Sequence, residues 1–440
     1  MNYTFKSIAE QAKAIEENRL SPLGLLEEYL HNIENRNDSE NIFTEVFHKS
    51  ALKEAKESEK RQKSGLRKSL LDGIPINWKD LFDISEKKCE GGSLLLAGRI
   101  ATVDADIVIN ARKCGLVSIG KTHLSELAFS GLGINPKTAT PPNSSENSIA
   151  PGGSSSGAAV ATALNLSSAG IGSDTGGSVR IPAVWNNLVG FKPTHGNLSL
   201  NGVLKLCPSF DTVGPITKTV QDSSYLYYIL KGERPINIQE SNLRNKKFLV
   251  DRAFLTKNLS SQVSKSFELS LERIGKAGAA ITEIKIDEIT KAIALASKIF
   301  PYEAYNNWKE IIERNPDKMY LPILSRFRGG INVDHQSYMN SWKELNKLRK
   351  SFLMKIDGFD SLLSPTCPIL PPKVKDLMEK EDYFKNCNLL SLRNTRVANL
   401  LGLTSITIPT EEINCGLMLL AKPQQDEAIL ESAKLLENII

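Results

Sequence analysis

The chain has 440 residues, of which 41% are hydrophobic and 24% charged, a composition typical of a globular protein with a large buried core rather than of a disordered chain. Its net charge of +5 is small for this length, and the basic residues are scattered, so the sequence predicts no nucleic-acid partner. The six cysteines lie far apart without a C-x-x-C pair, which predicts reduced thiols and no metal site.

The first seventy residues are predicted to be mainly helical. Ser7 and Glu10 form a capping-box pattern, and Ser21 followed by Pro22 opens a second helix whose leucines recur at helical spacing. The first twenty residues contain acidic residues and an amphipathic helix. A secreted chain would instead begin with a signal peptide, in which a basic segment is followed by an apolar one. We therefore expect a cytoplasmic protein.

After this helical segment, short apolar strands such as "LVSIG" and "SAGIG" alternate with helices and glycine-rich turns. Such alternation predicts an α/β protein. Further along the chain, "KFLVD", a helix and "AAITEIKI" indicate one more strand-helix-strand layer of the same sheet. No repeat or low-complexity linker divides the chain, so nothing in the sequence requires a second domain.

The stretch from Ile149 to Ser173 carries no charged residue and must be tested as a membrane span. It is rich in Gly, Ser and Ala and contains "PGGSSSG", which disfavours a spanning helix. We predict a buried strand-loop-helix element here and no membrane association.

Two glycine-serine loops are candidate sites of chemistry. "GSSSG" matches the nucleophile-elbow pattern around Ser155, for which His195 and His335 follow in chain order. "DTGGS" contains the Asp-Thr-Gly of aspartic proteases, but the second copy that their mechanism needs is missing. The five histidines are isolated and no phosphate-binding loop is found, so we predict neither a metal nor another cofactor.

A lysine in apolar surroundings adds to these loops. Lys79 lies in "GIPINWKDLF" next to Trp78. A lysine at such a position usually keeps its amine at the surface, but this apolar context raises the odds of a desolvated amine. The backbone N–H groups of the Thr-Gly-Gly-Ser turn can converge on one point, where they would stabilise an oxyanion beside Ser178. A nucleophile, a base and oxyanion donors are together what amide hydrolysis requires.

These segments resemble the amidase signature family of Ser-cisSer-Lys amidohydrolases. The matching motifs include "LDGIPINWKD", "GKTHLSELAFSGLGINP", "APGGSSSGAAVATAL", "GIGSDTGGSVRIPA", "GFKPTHG" and "GLTSITIPT", in family order from about Leu71 onward. The resemblance implies a single α/β/α domain with a central mixed β-sheet covered by helices. Residues 1–70 would be its helical N-terminal arm and residues 71–440 the signature domain.

The resemblance also implies site residues. The nucleophile would be Ser178, the bridging serine Ser154, after a cis peptide bond, and the base Lys79. The oxyanion hole would be formed by the backbone N–H groups of Thr175, Gly176, Gly177 and Ser178. We expect supporting roles for Ser155, Thr122, Asp174 and Arg180, the last two as an ion pair that fixes the turn. We expect the substrate pocket to include Phe129, Ser130 and Gly131. A further wall is expected within residues 300–339, which mix aromatic, basic and apolar residues, although an amphipathic helix packed on the core fits that segment equally well.

The implied function is that of a free-standing amidase, which converts a small-molecule amide to an acid and ammonia or an amine through an acyl-enzyme. One alternative is the glutamine-hydrolysing A subunit of an aminoacyl-tRNA amidotransferase, from whose "DQIGP" this chain differs with "DTVGP" at Asp211 to Pro215. Another is a non-catalytic family member that acts as a binding protein. We expect that the helical N-terminal arm can contribute to a homodimer, and we expect no direct contact with nucleic acid.

Overall fold

The computed structural model describes residues 2–239 and 242–440, which form eleven strands and fifteen α-helices. The strands are β1 Phe43–Val46, β2 Pro75–Lys79, β3 Val117–Thr122, β4 Ala169–Asp174, β5 Val189–Lys192, β6 Thr212–Thr217, β7 Lys247–Val250, β8 Ala280–Glu283, β9 Ser361–Pro365, β10 Thr404–Pro409 and β11 Gly416–Ala421. The helices are α1 Ile8–Glu16, α2 Pro22–Glu34, α3 His48–Lys63, α4 Asp106–Lys113, α5 Ser156–Ala163, α6 Arg180–Val184, α7 Val220–Lys231, α8 Ser261–Lys276, α9 Asp287–Arg314, α10 Leu321–Arg328, α11 His335–Lys355, α12 Val374–Glu379, α13 Glu381–Ser391, α14 Arg396–Leu401 and α15 Asp426–Glu437.

All eleven strands join one mixed sheet, in the order β1-β3-β2-β4-β6-β5-β10-β11-β9-β7-β8. Strand β2 runs parallel to β3 and β4, and β7 runs parallel to β8 and β9, while the other pairs are antiparallel. Helices α3, α5, α7, α8 and α15 pack against the strands. The predicted α/β class with a central mixed sheet covered by helices is confirmed, and so is the β7-α8-β8 layer, which lies at one edge of the sheet.

The N-terminal segment is mainly helical, as predicted, but it also supplies an edge strand. Ser7 closes a complete capping box with Glu10, and Ser21 caps α2. The short strand β1, which the sequence analysis did not predict, pairs antiparallel with β3 and places Phe43 opposite Thr122. Its four residues, Phe-Thr-Glu-Val, do not alternate between apolar and polar, and so short a segment between two long helices gives too weak a pattern to be recognised from sequence alone.

The uncharged stretch at residues 149–173 is buried inside the protein. It forms a loop, helix α5 and most of strand β4, and its glycines allow very close packing. A Cβ at Gly157 would lie 2.7 Å from the carbonyl oxygen of Ile42, and one at Gly170 would lie 2.6 Å from that of Ala158. Over residues 2–239 and 242–440, no helix has both the length and the apolar character needed to cross a membrane.

Candidate active site

Lys79 and the serine-rich loops meet where two parallel strands end. Strands β2 and β4 are neighbours, with Trp78 opposite Ile171, so their carboxyl ends lie at the same edge of the sheet. This is where open α/β sheets usually place their ligands. Lys79, the last residue of β2, is fully buried, and its Nζ lies 2.7 Å from Ser154 Oγ and 2.8 Å from Ser173 Oγ.

The surroundings of Lys79 favour its neutral form. Burial lowers the pKa of Lys79 to about 7, and the more distant charges of Asp174 and Asp211 offset only part of that shift. Among the described residues, none of the carboxylates forms an ion pair with Lys79. A large fraction of this amine is therefore unprotonated at neutral pH, with a lone pair that can accept a proton from a serine hydroxyl.

The two serine loops lie side by side. The peptide bond between Gly153 and Ser154 is cis, as the family resemblance implies. The N–H of Ser155 donates to the carbonyl oxygen of Ser178 at 3.2 Å, which ties one loop to the other. Ser154 is fully buried, whereas Ser178 is 4% exposed and lines a small chamber. Ser178 is thus the member of this group that a substrate can reach.

A buried ion pair fixes the turn that carries Ser178. Both Asp174 and Arg180 are fully buried, and Arg180 donates from Nε to Oδ2 (3.0 Å) and from Nη2 to Oδ1 (2.9 Å) of Asp174. The Asp174 carboxylate also accepts from the N–H groups of Gly177 (2.8 Å) and Val179 (3.1 Å). Although burial opposes ionisation, the charge and hydrogen bonds of Arg180 hold the pKa of Asp174 at about 2.

We expect Asp174→Ala to lower the free energy of unfolding by roughly 3–5 kcal/mol, because it leaves Arg180 buried without its counter-charge. Urea denaturation at pH 7 measures this change. The matched control is Glu313→Ala, which removes the carboxylate of the exposed pair with Arg328 and should change stability by less than about 1 kcal/mol. Equal effects of the two substitutions would contradict a turn held by the buried pair.

Of the four amides predicted to form the oxyanion hole, the structure leaves three open. The N–H of Gly177 already donates to Asp174, whereas those of Thr175, Gly176 and Ser178 have no hydrogen-bond partner among the described residues. Gly177 has a φ of +134°, and a Cβ there would lie 2.2 Å from Thr395 Oγ1, so only glycine fits.

Four further residues support the site and were not singled out by sequence reasoning. Ser173 contacts Lys79, and Asp211 accepts from Thr175 Oγ1 at 2.5 Å. Thr395 Oγ1 donates to the Gly176 carbonyl at 2.7 Å, and Asn399 Nδ2 donates to Asp174 Oδ1 at 2.9 Å. Ser173 and Asp211 had a usable signal, since they lie in the matching motifs "GIGSDTGGSVRIPA" and "DTVGP".

The remaining predicted supporting residues act through the backbone. Thr122 Oγ1 donates to the Trp78 carbonyl at 3.3 Å, and Ser155 Oγ donates to the Ser173 carbonyl at 3.3 Å. Both hydroxyls thereby hold the ends of β2 and β4, on which the site is built.

The structure gives the nucleophile-elbow alternative no support, because both histidines that follow Ser155 in the chain contact other groups. His195 is exposed and contacts the Pro208 carbonyl, and His335 contacts the Tyr302 hydroxyl. Within the described ranges, His, Cys, Asp and Glu form no group of three or more that could hold a metal ion.

Two adjoining cavities, which share four lining residues, lie on the side of the site where Ser178 is exposed. The inner chamber, of about 20 Å³, is lined by Ser178, Thr175, Gly176, Ala128, Phe129, Ser130, Leu206, Phe300, Arg326, Leu392 and Arg396. The outer cavity, of about 650 Å³, has mainly apolar walls and shares Phe129, Phe300, Arg326 and Arg396 with the chamber. The structure places the predicted pocket residues Phe129 and Ser130 in the chamber wall. Gly131 is not among the lining residues of either cavity, and its N–H donates to Asn388 Oδ1 at 2.8 Å.

Comparison with known proteins adds a family and a set of similar structures. The amidase family profile matches residues 24–430. The A subunit of the glutamyl-tRNA(Gln) amidotransferase of Myxococcus xanthus is 29% identical, over 90% of this chain and 89% of its own length. The protein of the same name from Lactococcus lactis subsp. cremoris is 27% identical, over 99% of this chain and 97% of its own length.

Solved structures are similar over almost the whole chain. The crystal structure of an amidase that is 29% identical in sequence superposes with a TM-score of 0.89, covering 98% of this chain and 99% of the other. The peptide amidase from Stenotrophomonas maltophilia, at 22% identity, gives a TM-score of 0.79 over 99% of this chain and 97% of its own, a likeness of fold alone.

Proposed function

Because the chain belongs to the amidase family and is a hydrolase that acts on amide bonds, we propose that Ser178 is its nucleophile, Ser154 its proton relay and Lys79 its base. Lys79 carries this proposal: it is a fully buried amine with a pKa of about 7, and its Nζ lies 2.7 Å from Ser154 Oγ. A general base works best when its pKa is close to the working pH.

In the first half-reaction, Ser178 Oγ attacks the amide carbon. Its proton passes to Ser154 Oγ while the proton of Ser154 passes to Lys79 Nζ. The carbonyl oxygen becomes an oxyanion, which the open N–H groups of Thr175, Gly176 and Ser178 would stabilise. When the C–N bond breaks, the leaving nitrogen takes the proton back from Lys79 through Ser154, and an ester forms on Ser178.

In the second half-reaction, water attacks the ester carbon and gives up its proton along the same route. Ser178 leaves as the protonated hydroxyl, and the carboxylic acid is released. Ser178 Oγ has no hydrogen-bond partner among the residues that the structure describes, so its bond to Ser154 would have to form in the substrate complex. Catalytic hydrogen bonds often close only at that stage.

The proposal predicts a pH dependence. A protonated Lys79 cannot accept a proton, so kcat/KM should fall about tenfold per pH unit below about pH 7 and level off above it. Ammonia release from a panel of aliphatic, aromatic, dicarboxylic and urea-type amides identifies a substrate, and its pH–rate profile from pH 5 to 9 tests the base. A profile that stays flat down to pH 5 would remove Lys79 from this role.

A second candidate function is supported by the names of similar proteins. The amidotransferase A subunits of Myxococcus xanthus and Lactococcus lactis align with this chain over most of their length, so glutamine hydrolysis within a larger complex is the alternative. Co-purification with a partner protein, together with glutamine hydrolysis that depends on tRNA, would favour it. Turnover of a simple amide by the isolated chain would favour the free-standing amidase over both this alternative and a non-catalytic binding protein.

We also propose that the substrate is a small-molecule amide, that the chain makes no direct contact with nucleic acid, and that it acts in the cytoplasm. All six cysteines are free thiols, which suits a reducing compartment. A homodimer stays a prediction of the sequence.

A further inference from the structure

The neck between the two cavities combines aromatic rings with cations. Phe129, Phe300, Arg326 and Arg396 line both the inner chamber and the outer cavity. A substrate bound with its carbonyl at Ser178 and its remaining atoms in the outer cavity must pass these four side chains. They can therefore determine which chemical group of the substrate is accepted next to the reacting amide.

Both guanidinium groups at the neck lack partners. Among the described residues, neither Arg326 nor Arg396 forms an ion pair or a side-chain hydrogen bond, and Arg326 Nε is buried with no acceptor at all. Each guanidinium carries five N–H donors and stays protonated at neutral pH. Burial, together with the charge of Arg396, lowers the pKa of Arg326 to about 9, which reflects a cation that lacks an anion.

Packing holds both cations in place without using their donors. The Arg326 guanidinium carbon lies 4.4 Å from the ring centroid of Phe129, and that of Arg396 lies 5.8 Å from the ring centroid of Phe300. A guanidinium that stacks on an aromatic face keeps its in-plane N–H groups free for a planar, bidentate acceptor. A carboxylate has that geometry.

The lining of the inner chamber includes no Asp or Glu to neutralise these charges. In the outer cavity the only acidic lining residue among those described is Glu381, which is exposed and is accompanied by Lys385 and Arg393. The neck therefore carries two positive charges and has no carboxylate among its lining residues to pair with an ammonium group. Glutamine would bring an ammonium group close to its carboxylate, which this charge pattern disfavours.

We propose that the substrate of this enzyme is an anionic amide, one that bears a carboxylate near the scissile carbonyl and no neighbouring ammonium, and that Arg326 and Arg396 bind this carboxylate. The inference rests on the proposed function, whose substrate class it narrows. The apolar walls of the outer cavity would hold the rest of the molecule. Arg326 and Arg396 would determine specificity, while the chemistry stays with Ser178 and Lys79.

Matched amide pairs test the proposal. Succinamic acid and succinamide differ in whether the far end is a carboxylate or a neutral amide of similar shape, and glutaramic acid with glutaramide extends the series. We expect the wild type to have a kcat/KM for the acids that is about 10–100-fold higher than for the diamides, as charge-assisted hydrogen bonds allow. Arg326→Gln and Arg396→Gln should each raise KM for the acids about tenfold or more, so that the ratio of kcat/KM for acid over diamide falls about tenfold.

The matched control is Arg349→Gln. Arg349 is also half-buried without a carboxylate partner among the described residues, but it donates to the Leu400 carbonyl and lies outside both cavity walls. Its substitution should leave the acid-to-diamide preference unchanged. Thermal unfolding of all variants separates lost binding from lost folding.

Calorimetric titration of succinate and glutarate into the wild type and the arginine variants gives a readout independent of turnover. Binding by the wild type that is lost in Arg326→Gln and Arg396→Gln and kept in Arg349→Gln is the expected result. Three results would overturn the proposal of an anionic substrate: equal kcat/KM for acid and diamide, a larger kcat/KM for glutamine, or dicarboxylate binding that is unchanged in both arginine variants. None of them would contradict the serine amidase mechanism. Failure of the proposed function would look different. Either no amide would be hydrolysed, or hydrolysis would not depend on Ser178.

Discussion

Ser178→Ala is expected to lower the turnover of every amide that the wild type hydrolyses by roughly 10⁴-fold or more, because removal of a serine nucleophile leaves only binding and oxyanion stabilisation. Ammonia release measures the loss. A serine-directed phosphonate should label the wild type on the peptide that contains Ser178 and should not label the variant. The variant should fold normally, since Ser178 Oγ makes no hydrogen bond to another described residue.

Ser155→Ala separates this assignment from its nearest rival. Ser155 lies in the adjoining glycine-serine loop and matched the nucleophile-elbow pattern, but its Oγ donates to the Ser173 carbonyl at 3.3 Å, and both histidines predicted to serve it contact other groups. We expect this variant to keep turnover within about tenfold of the wild type, the effect of one supporting hydrogen bond. Unchanged turnover in Ser178→Ala, or loss only in Ser155→Ala, would move the nucleophile to Ser155.

Much of the fold could be predicted because its signals are local. A capping box at Ser7, a proline after Ser21 and alternating strands and helices each depend on a few neighbouring residues. Strand β1 was missed because its partner, β3, lies in a distant part of the chain. Four residues between two helices give only a weak strand pattern by themselves. Where the partner decides the structure, a local pattern carries little information.

The same distinction applies to the candidate site. Lys79, Ser154 and Ser178 stand in recognisable motifs, and their arrangement follows the resemblance. Asn399 could not be found in that way, because it reaches Asp174 across 225 positions of sequence. Arg326 lies within residues 300–339, which the sequence analysis expected to form a pocket wall, and Phe300 and Arg326 do line the chamber. Arg396 gave no such signal, because only packing brings the short and otherwise buried helix α14 to the chamber. The proposed catalytic residues thus lie in short motifs that the sequence shows directly. Which side chains line the substrate pocket depends largely on tertiary contacts.

Lys79→Met is expected to abolish turnover as thoroughly as loss of the nucleophile, because it removes the proton acceptor that Ser154 requires. The substitution also removes a buried titratable group. The pKa of Lys79 is about 7 in the folded protein against an ordinary value of 10.5, so between these values the unfolded chain binds more protons and stability rises with pH. From pH 7 to pH 9 this group alone should add roughly 2 kcal/mol to the free energy of unfolding.

Lys192 provides a matched control within the same chain. It is also buried, and burial, with the charge of Arg180, likewise lowers its pKa to about 7, but its Nζ donates to the Pro193 carbonyl rather than to a serine. In Lys192→Met, a similar pH-dependent part of the free energy of unfolding should therefore be lost, as measured by urea denaturation at pH 7, 8 and 9. The variant should still hydrolyse amides, and its kcat/KM should still fall below pH 7. If Lys192→Met lost turnover as Lys79→Met does, burial of a lysine rather than its contact with Ser154 would explain the inactive variant, and the base would have to be sought elsewhere.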